Sequence, residues 1–287
     1  MKAKSLKLIA ALALCALTIC LCACDEWSHN TSTPTAVTGK LQVHFIDVGQ
    51  GDSILIDLGT TEVLIDAGEK SPGVTDYLKK YVDGDLEVMV ATHPHSDHIG
   101  GLLKVLDEFT VDNIWVNGDE ATSKTYTDFM ATANDEGAQV HEARRGDTIV
   151  AGALTFKVLN PIDPLFDNTN DNSIVLSLSY GSIDFLFTGD AEIDAEASMI
   201  SAGVLSDIDI LKVGHHCSRT ASSAAFLNIT KPEVAVYMAG VGNTYGHPHQ
   251  ESLTALKNIG ATIYGTDKSG TIVIRTDGTS YTIQTEK

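Results

Sequence analysis

One twelve-residue stretch restricts the fold of this chain more than any other part of its sequence. The segment ATHPHSDHIGGL (91–102) places three histidines and an aspartate within six residues, directly after the apolar run LEVMVA (86–91). The apolar run predicts a buried strand, and a helix is expected to open at Ile99. A strand that leads into a ligand-bearing loop and a helix is a usual way to place chemistry on a rigid scaffold.

The remaining pattern predicts two β-rich halves, each with helices. Strands are expected at 41–49, 52–59 and 62–68 in an antiparallel start, and two further strands face each other across a turn at Gly181-Ser182. Other strands are expected at 113–116, 139–142, 154–159, 209–216, 233–239 and 271–275, and helices near 74–81, 126–136 and 195–202 and from residues 221 and 250. This order favours an α/β (α+β) pair of sheets with helices outside.

The N-terminus resembles a bacterial lipoprotein signal. Three lysines precede an apolar run at 8–23 that ends in LCAC (21–24), which predicts cleavage and a diacylglyceryl group on Cys24. An uncleaved transmembrane anchor is the alternative. Either interpretation puts the rest of the chain outside the cytoplasm, at the outer face of the bacterial membrane or secreted. Residues 25–40 are rich in Ser, Thr and Asn and predict a disordered tether, so that 41–287 form the folded domain.

The charge of the chain limits its partners. Without residues 1–24, 16 basic residues stand against 38 acidic ones, a formal charge of −22. Such a surface repels nucleic acid and anionic lipid unless a bound metal or a local patch reverses the sign. Cys217 is the only cysteine outside the signal and the lipidation site, which excludes a disulfide within the domain.

The residues of the 91–102 segment are of the types that hold metals. His93 and His95 are two apart at a strand end, and Asp97 and His98 follow on the next turn. Imidazole and carboxylate are ligands for zinc, manganese and iron. A solvated histidine loop is the alternative, and it is disfavoured because four of six positions are ligand types directly after a buried strand. Asp190, which ends another apolar strand, is a further candidate, although it could equally cap the following helix.

The motif H-x-H-x-D-H at 93–98 resembles that of the metallo-β-lactamase superfamily. Four other segments, at 43–56, 172–190, 211–223 and 245–249, resemble the extracellular hydrolase domain of ComEC-type competence proteins. Together they cover nearly all of residues 41–287. The resemblance implies a four-layer αββα sandwich with two divalent metal ions, zinc or manganese, at one edge between the sheets.

The resemblance also implies a role for each matching residue. His93 and His95 would hold the first ion, Asp97 and His98 the second, and Asp190 would bridge them. Two histidine segments compete for the last ligand position. Chain order favours His247, with His249 as substitute, and leaves the proton or phosphate contact to His215 or His216. The catalytic set is then His215, His216 and Asp97, with Lys212, Arg219 and Ser218 binding substrate.

Two positions depart from the family pattern. Asn160 stands where relatives often carry the third histidine ligand of the first ion, which predicts a looser site or a harder ion such as manganese, with Asp171 or Asn172 reaching in to compensate. Cys217 stands where relatives usually carry glycine beside the paired histidines, and it is expected to be a tolerated small residue.

A pair of metal ions at such a site predicts hydrolysis. A phosphodiester substrate is favoured because an aspartate, not a cysteine, occupies the bridging position and because a histidine is available to protonate an alkoxide; β-lactams are disfavoured. The resemblance implies DNA, whereas the acidic charge favours a short oligonucleotide or another small diester, such as a phosphocholine ester. A lactonase or thioesterase, or a binding module without turnover, are the alternatives. The sequence predicts no protein partner.

Overall fold

A computed structural model describes residues 40–71, 73–135 and 137–287. The expected signal (1–24), the lipidation of Cys24 and nearly all of the expected tether (25–40) lie outside these residues. Within the described part of the chain, no helix is long and apolar enough to cross a membrane.

The described residues form two sheets. The strands are β1 (Leu41–Phe45), β2 (Ile54–Asp57), β3 (Glu62–Ile65), β4 (Leu86–Ala91), β5 (Val111–Val116), β6 (Gln139–Glu142), β7 (Thr148–Ala151), β8 (Leu154–Asn160), β9 (Val175–Tyr180), β10 (Ile183–Phe187), β11 (Ile210–Lys212), β12 (Val234–Tyr237), β13 (Thr262–Gly265), β14 (Ile272–Thr276) and β15 (Tyr281–Thr285). The first sheet has the order β15-β14-β1-β2-β3-β4-β5-β6, and the second has the order β13-β12-β11-β10-β9-β8-β7.

Helices cover the outer face of each sheet. They are α1 (Thr75–Leu78), α2 (Ser96–Ile99), α3 (Leu102–Glu108), α4 (Lys124–Asp135), α5 (Ile193–Ala202), α6 (Ala224–Thr230), α7 (Gln250–Asn258) and α8 (Thr266–Ser269). Leu102 and Phe129 pack with Met89 behind the first sheet. Met199 and Phe226 pack with Leu211 behind the second sheet.

A third apolar cluster fills the space between the sheets. Phe45 and Val90 of the first sheet meet Phe156 and Phe185 of the second, and all four are fully buried. β4 is buried on both faces because its alternate side chains belong to different clusters, which explains its continuous apolar run. The four layers confirm the αββα sandwich expected from the sequence.

The edge strand β7 was missed by the sequence analysis. Its side chains alternate between exposed and buried, and Val150 is an exposed apolar residue, so the apolar signal is weak over only four residues. The helix expected from residue 221 begins at Ala224 because the Ser223 side chain accepts a hydrogen bond from the Phe226 amide (3.2 Å) and caps it. The helix expected at Ile99 is divided into α2 and α3.

Strand direction brings four loops to one edge of the sandwich. β4 runs parallel to β3 and β5, and β10, β11 and β12 run parallel to one another, so that the loops after β4, β10, β11 and β12 emerge at strand carboxyl ends. The loop 46–53 joins them: the Asp52 amide donates to the Asp97 carbonyl (3.1 Å). Gly51 is required there, since a Cβ would lie 2.2 Å from the Asp97 oxygen.

A buried histidine on β1 makes the stability of this fold sensitive to acid. His44 is fully buried, with Nδ1 2.8 Å from the Tyr77 hydroxyl. Burial, and to a smaller degree the Arg275 charge, lowers the pKa of His44 to about 4. The unfolded chain protonates this histidine near pH 6.5, so between about pH 6.5 and 4 the unfolded state binds more protons and the fold loses up to about 3 kcal/mol.

We therefore expect His44→Gln to lose less stability than the parent chain when the pH is lowered from 7 to 4.5. The glutamine amide has no proton to gain, so the difference in unfolding free energy between the two pH values should shrink by about 2 to 3 kcal/mol. Urea unfolding at both pH values measures it. An identical fall in both proteins would show that His44 does not control this acid sensitivity.

Candidate metal centre and active site

The site is centred on the carboxylate of Asp190, three residues after the end of β10. Asp190 is 2% exposed, and its Oδ2 lies 3.3 Å from His98 Nε2, 3.4 Å from His216 Nε2 and 3.8 Å from His93 Nε2. Asp97 closes the group from the first sheet, with Oδ2 3.2 Å from His216 Nε2. Side chains delivered by β4, β10 and β11 therefore converge on one carboxylate.

His93 and His95 form a second pair of nitrogens beside this carboxylate. His93 Nε2 lies 3.0 Å from His95 Nδ1, and the His93 ring is buried while His95 is exposed. The Nδ1 atom of His93 is near the hydroxyls of Thr92 (3.1 Å) and Ser173 (3.4 Å). These hydroxyls occupy the far side of the His93 ring and leave its Nε2 facing the centre.

The donor set fits divalent metal ions. Among the described residues, buried atoms without a hydrogen-bond partner include His98 Nε2, His216 Nε2 and Asp190 Oδ1, and such orphans are rare unless something else satisfies them. Ligands about 2.0 to 2.2 Å from a tetrahedral zinc ion lie about 3.3 to 3.6 Å apart. The nitrogen-to-oxygen distances of 3.2 to 3.4 Å around Asp190 are close to that spacing.

Four overlapping ligand groups lie within the cluster among the described residues. His93, His98 and Asp190 offer donor atoms within 4.8 Å of one another, and so do Asp97, His98 and His216. The other two groups include Asp52, with Asp190 and His216 or with Asp66 and His98. The cluster therefore offers enough imidazole and carboxylate donors to bind a divalent ion.

Charge also favours cations at this position. Burial alone would lower the pKa values of His98 and His216, but the Asp190 carboxylate, with Asp66 beside His98 and Asp52 beside His216, raises both well above the usual range. Burial would raise the pKa of Asp190, yet the two imidazoles hold it well below its ordinary value. A divalent ion bound among these carboxylates would take the place of protons on the imidazoles.

Two of the metal-facing imidazoles, those of His98 and His216, are oriented from behind by buried carboxylates. Asp66 Oδ2 lies 2.7 Å from His98 Nδ1 and also accepts from the Thr92 hydroxyl (2.6 Å). Asp52 Oδ1 lies 3.3 Å from His216 Nδ1, which is 2.9 Å from the Met238 carbonyl. Such contacts fix ring orientation and raise ligand basicity. The role of Asp66 was missed in the sequence.

Lys212 lies beneath this layer and not in the pocket. It is fully buried, its Nζ is 2.5 Å from Asp52 Oδ2, and it also donates to the Val213 carbonyl (3.0 Å). Burial would raise the pKa of Asp52, but the charge of Lys212 and the bond from His216 lower it overall. Lys212 was expected to contact the substrate, but its side chain is fully buried and does not reach the pocket.

The paired histidines lie on a turn with unusual backbone angles. His215, His216 and Cys217 have φ values of 45°, 52° and 66°, three consecutive left-handed residues that are not glycine. Each costs about 1 to 2 kcal/mol relative to a right-handed conformation. The turn sends the two rings in different directions, His216 into the centre and His215 to the pocket. Cys217 is buried, and a glycine at this position would be free of the backbone cost.

His215 is held by a carboxylate that the sequence analysis missed. Its Nδ1 lies 2.6 Å from Glu192 Oε1, while its Nε2 is 3.8 Å from Asp190 Oδ2. Thr220 and Asn170 donate to the same Glu192 oxygen at 2.9 and 3.1 Å. Burial would raise the pKa of Glu192, but these bonds, the one from His215 first, lower it. The only sequence signal was the position of Glu192 two residues after Asp190.

Of the other two predicted histidines, only His247 lines an open cavity of about 330 Å³. The cavity is lined by Gln50, His95, Ser96, Asp97, Asn170, Asp190, His215, His216, Tyr245 and His247. The His247 ring is 5.9 Å from that of His216 between centroids, and it belongs to none of the ligand groups found among the described residues. Burial, then the His216 and His215 charges, lowers the pKa of His247 to about 4. His249 Nδ1 accepts from the Arg219 amide (3.0 Å).

The remaining candidates are not among the residues that line the cavity. Arg219 is exposed, and the Ser218 hydroxyl is 2.9 Å from that of Thr220. Asn160 is fully buried, and its amide nitrogen donates to the carbonyls of Asp171 (2.7 Å) and Ser173 (2.8 Å), which leaves Oδ1 without a partner.

The two residues expected to compensate for Asn160 are engaged elsewhere. Asp171 Oδ1 accepts from the amides of Glu192 and Ala195, both at 3.0 Å, at the start of α5. The Asn172 amide donates to Asp119 Oδ2 (2.8 Å) and to the Phe166 carbonyl (3.0 Å). These contacts brace the loop that follows β8.

We expect Lys212→Met to lower the free energy of unfolding by about 3 to 5 kcal/mol, because it leaves the Asp52 charge buried without its partner. The double variant with Asp52→Asn should lose less than the sum of the single changes. Lys231→Met is the matched control: Lys231 is exposed and 3.7 Å from Asp207, so its loss should cost under about 1 kcal/mol. Additive single effects in urea unfolding would contradict a direct Lys212–Asp52 interaction.

The fold and the site define a member of a known class. The family model of the metallo-β-lactamase superfamily matches residues 46–241, and the chain belongs to this superfamily.

The resemblance to competence proteins is confirmed. ComE operon protein 3 of Bacillus subtilis is 30% identical over 256 residues, 82% of this chain and 33% of that protein. Recombination protein 2 of Haemophilus influenzae is 28% identical over 80% of this chain and 28% of its own length. The chain thus spans about a third of these relatives. Exodeoxyribonuclease WalJ of Streptococcus pneumoniae is 25% identical over 59% of this chain and 64% of that protein.

Among solved structures, the metallo-β-lactamase fold protein YhfI from Bacillus subtilis superposes with a TM-score of 0.58 at 14% identity, over 83% of this chain and all of YhfI. At this identity the likeness concerns the fold alone.

Proposed function

We propose that this protein is a phosphodiesterase of the metallo-β-lactamase superfamily that uses two divalent metal ions. The observation that carries the proposal is the placement of His215, which is partly exposed in the cavity, held at Nδ1 by Glu192 and directed with Nε2 toward Asp190. An alkoxide leaves phosphorus more readily when a nearby group protonates it. His215 is such a group, and it lies beside a cluster of carboxylates and imidazoles that can bind metal ions.

In this proposal His93, His95 and Asp190 would hold the first ion, and Asp97, His98, Asp190 and His216 would hold the second. When bound, the ions would lower the pKa of water and offset charge on the phosphate oxygens. His216 replaces His247, the ligand expected from chain order, because His216 is buried with Nε2 next to Asp97 and Asp190. His247 remains at the rim.

His215 then acts as the general acid. Glu192 is ionised and can only accept, so the proton in their 2.6 Å bond resides on His215 Nδ1. The carboxylate fixes the ring with Nε2 directed to the cavity, and the proposed role requires a second proton on Nε2 when the diester binds. As the bond from phosphorus to the leaving oxygen breaks, Nε2 donates its proton to that oxygen. A water molecule forms the new bond to phosphorus on the opposite side and loses its proton to solvent.

Substrate binding is assigned to residues that a diester can reach. The exposed Arg219 lies next to the His215 turn and offers a guanidinium to the phosphate, and Ser218 orders the same loop through Thr220. Lys212 is given a supporting role instead, because it is buried against Asp52.

The relatives give this proposal a substrate class. WalJ is named an exodeoxyribonuclease, and the more similar relatives are ComE operon protein 3 and Recombination protein 2. The excess of 38 acidic over 19 basic residues opposes tight binding of long duplex DNA, because few phosphates would be neutralised. We propose a short or single-stranded oligonucleotide, or the end of a strand.

The test is turnover of bis(p-nitrophenyl) phosphate and of single-stranded DNA by purified protein supplied with manganese or zinc. Asp190→Ala should abolish turnover and reduce bound metal, because it removes the shared carboxylate. Asp194→Ala is the matched control, since Asp194 is exposed four residues further on. Activity that survives Asp190→Ala refutes the assignment, and faster cleavage of a lactone or thioester than of any diester would indicate another hydrolase class.

A second prediction tests the general acid. His215→Ala should lower kcat by about 10² to 10⁴ for diesters with an alkyl leaving group, and by much less for p-nitrophenol, which departs without a proton. The measurement is the slope of log kcat against the leaving-group pKa, which should become steeper in the variant. An unchanged slope would contradict the role of His215.

We also propose that a lipid on Cys24 holds the domain at the outer face of the bacterial membrane. Cys24→Ser should move the protein from the membrane fraction to the medium or the soluble fraction and remove the mass of the lipid from the N-terminal peptide. Retention of Cys24→Ser in the membrane fraction would favour an uncleaved anchor instead.

A further inference from the structure

We propose that the ring of Tyr245, backed by His247, is a stacking platform for a nucleobase next to the scissile phosphodiester. This inference rests on the proposed function and narrows its substrate to nucleotide-containing diesters. Neither residue of the platform takes part in the chemistry assigned above.

The platform lies on the wall of the cavity. Tyr245 is 64% exposed, which is unusual for a large ring next to a buried polar site, and its ring stacks on that of His247 with centroids 5.7 Å apart and planes 17° from parallel. Both residues line the same cavity as Asp190 and His215. One face of the Tyr245 ring therefore has a partner while the side chain keeps most of its surface open to a ligand.

The loop that carries the two rings is held in place without a ligand. The Asn243 side-chain nitrogen donates to the carbonyls of Gly240 (2.9 Å) and His247 (2.6 Å). Its oxygen accepts from the amides of Tyr245 (3.1 Å) and His247 (3.0 Å). One side chain thus closes the loop on itself, so little ordering entropy remains to be lost when a base binds.

The second ring is itself supported from the protein side. The His249 ring meets the His247 ring edge to face, with centroids 4.9 Å apart, and the His249 amide donates to the Cys217 carbonyl (3.0 Å). Through His249, the stacked rings of Tyr245 and His247 are therefore connected to the turn that carries His215 and His216. A base on Tyr245 would be positioned relative to the groups that act on its phosphate.

Base stacking can bind a nucleotide even though the acidic protein binds phosphates weakly. An acidic surface gains little from contacts to phosphates, whereas stacking on an aromatic ring depends weakly on charge and accepts any base. Alanine substitution at such platforms weakens binding by about 5- to 150-fold per base. A quaternary ammonium ligand such as choline also binds aromatic rings, but it is recognised by a cage of several faces. Tyr245 and His247 present a flat stack, which favours a base.

The test compares two esters with the same leaving group: thymidine 5′-(p-nitrophenyl phosphate) and methyl p-nitrophenyl phosphate. The parent protein, loaded with manganese, should prefer the nucleotide ester by about tenfold or more in kcat/KM. Tyr245→Ala should reduce this preference by at least about fivefold, mainly through KM. Tyr245→Phe keeps the ring and should keep the preference, as should the control Thr244→Ala, which changes an exposed neighbour in the same loop.

A binding measurement separates this inference from the proposed function. A short oligothymidylate should bind the parent more tightly than an abasic strand of equal length, and Tyr245→Ala should remove that difference. If neither ester is cleaved, the proposed function fails and the binding difference alone decides on the platform. The platform is ruled out if the parent protein binds both strands equally, or if its preference for the oligothymidylate survives Tyr245→Ala. A preference for p-nitrophenyl phosphorylcholine that is lost in Tyr245→Ala would assign the ring to a quaternary ammonium and also overturn it.

Discussion

The structure of the site depends on one buried carboxylate that faces several imidazoles. Asp190 is brought from the second sheet to meet His93 and His98 from the first, and His216 reaches it from the next strand. None of these groups would be stable at this depth alone, because a buried charge without a counter-charge is costly. The αββα architecture stabilises them because its parallel strands bring groups of opposite charge to one edge of the sandwich.

A second layer of carboxylates gives the site its rigidity. Asp66 and Asp52 hold His98 and His216 from behind, and Lys212 in turn compensates Asp52. Glu192 holds His215 in the same manner, so that three of the four histidines discussed here have a fixed ring orientation before any substrate arrives. Preorganised groups cost little reorganisation at the moment of reaction, which is how a rigid scaffold contributes to hydrolysis.

The part of the site formed by residues close in sequence could be predicted, whereas the contacts between residues far apart in sequence could not. The motif at 93–98 is contiguous and follows a strand, so its ligand types and position could be predicted from spacing, and the alternation of strands and helices predicted the sandwich. The choice between His216 and His247 depends on a turn of three left-handed residues that no periodicity reveals. Lys212 was expected to contact the substrate because it is close to the paired histidines in sequence, whereas in the structure it is buried against Asp52.

The central claim is that ions occupy the space around Asp190, and anomalous diffraction from crystals of the manganese-loaded protein tests it most directly. The account predicts two anomalous peaks that share Asp190, one next to His93 and His95 and the other next to Asp97, His98 and His216. A single peak coordinated by His247, or none near Asp190, would contradict it.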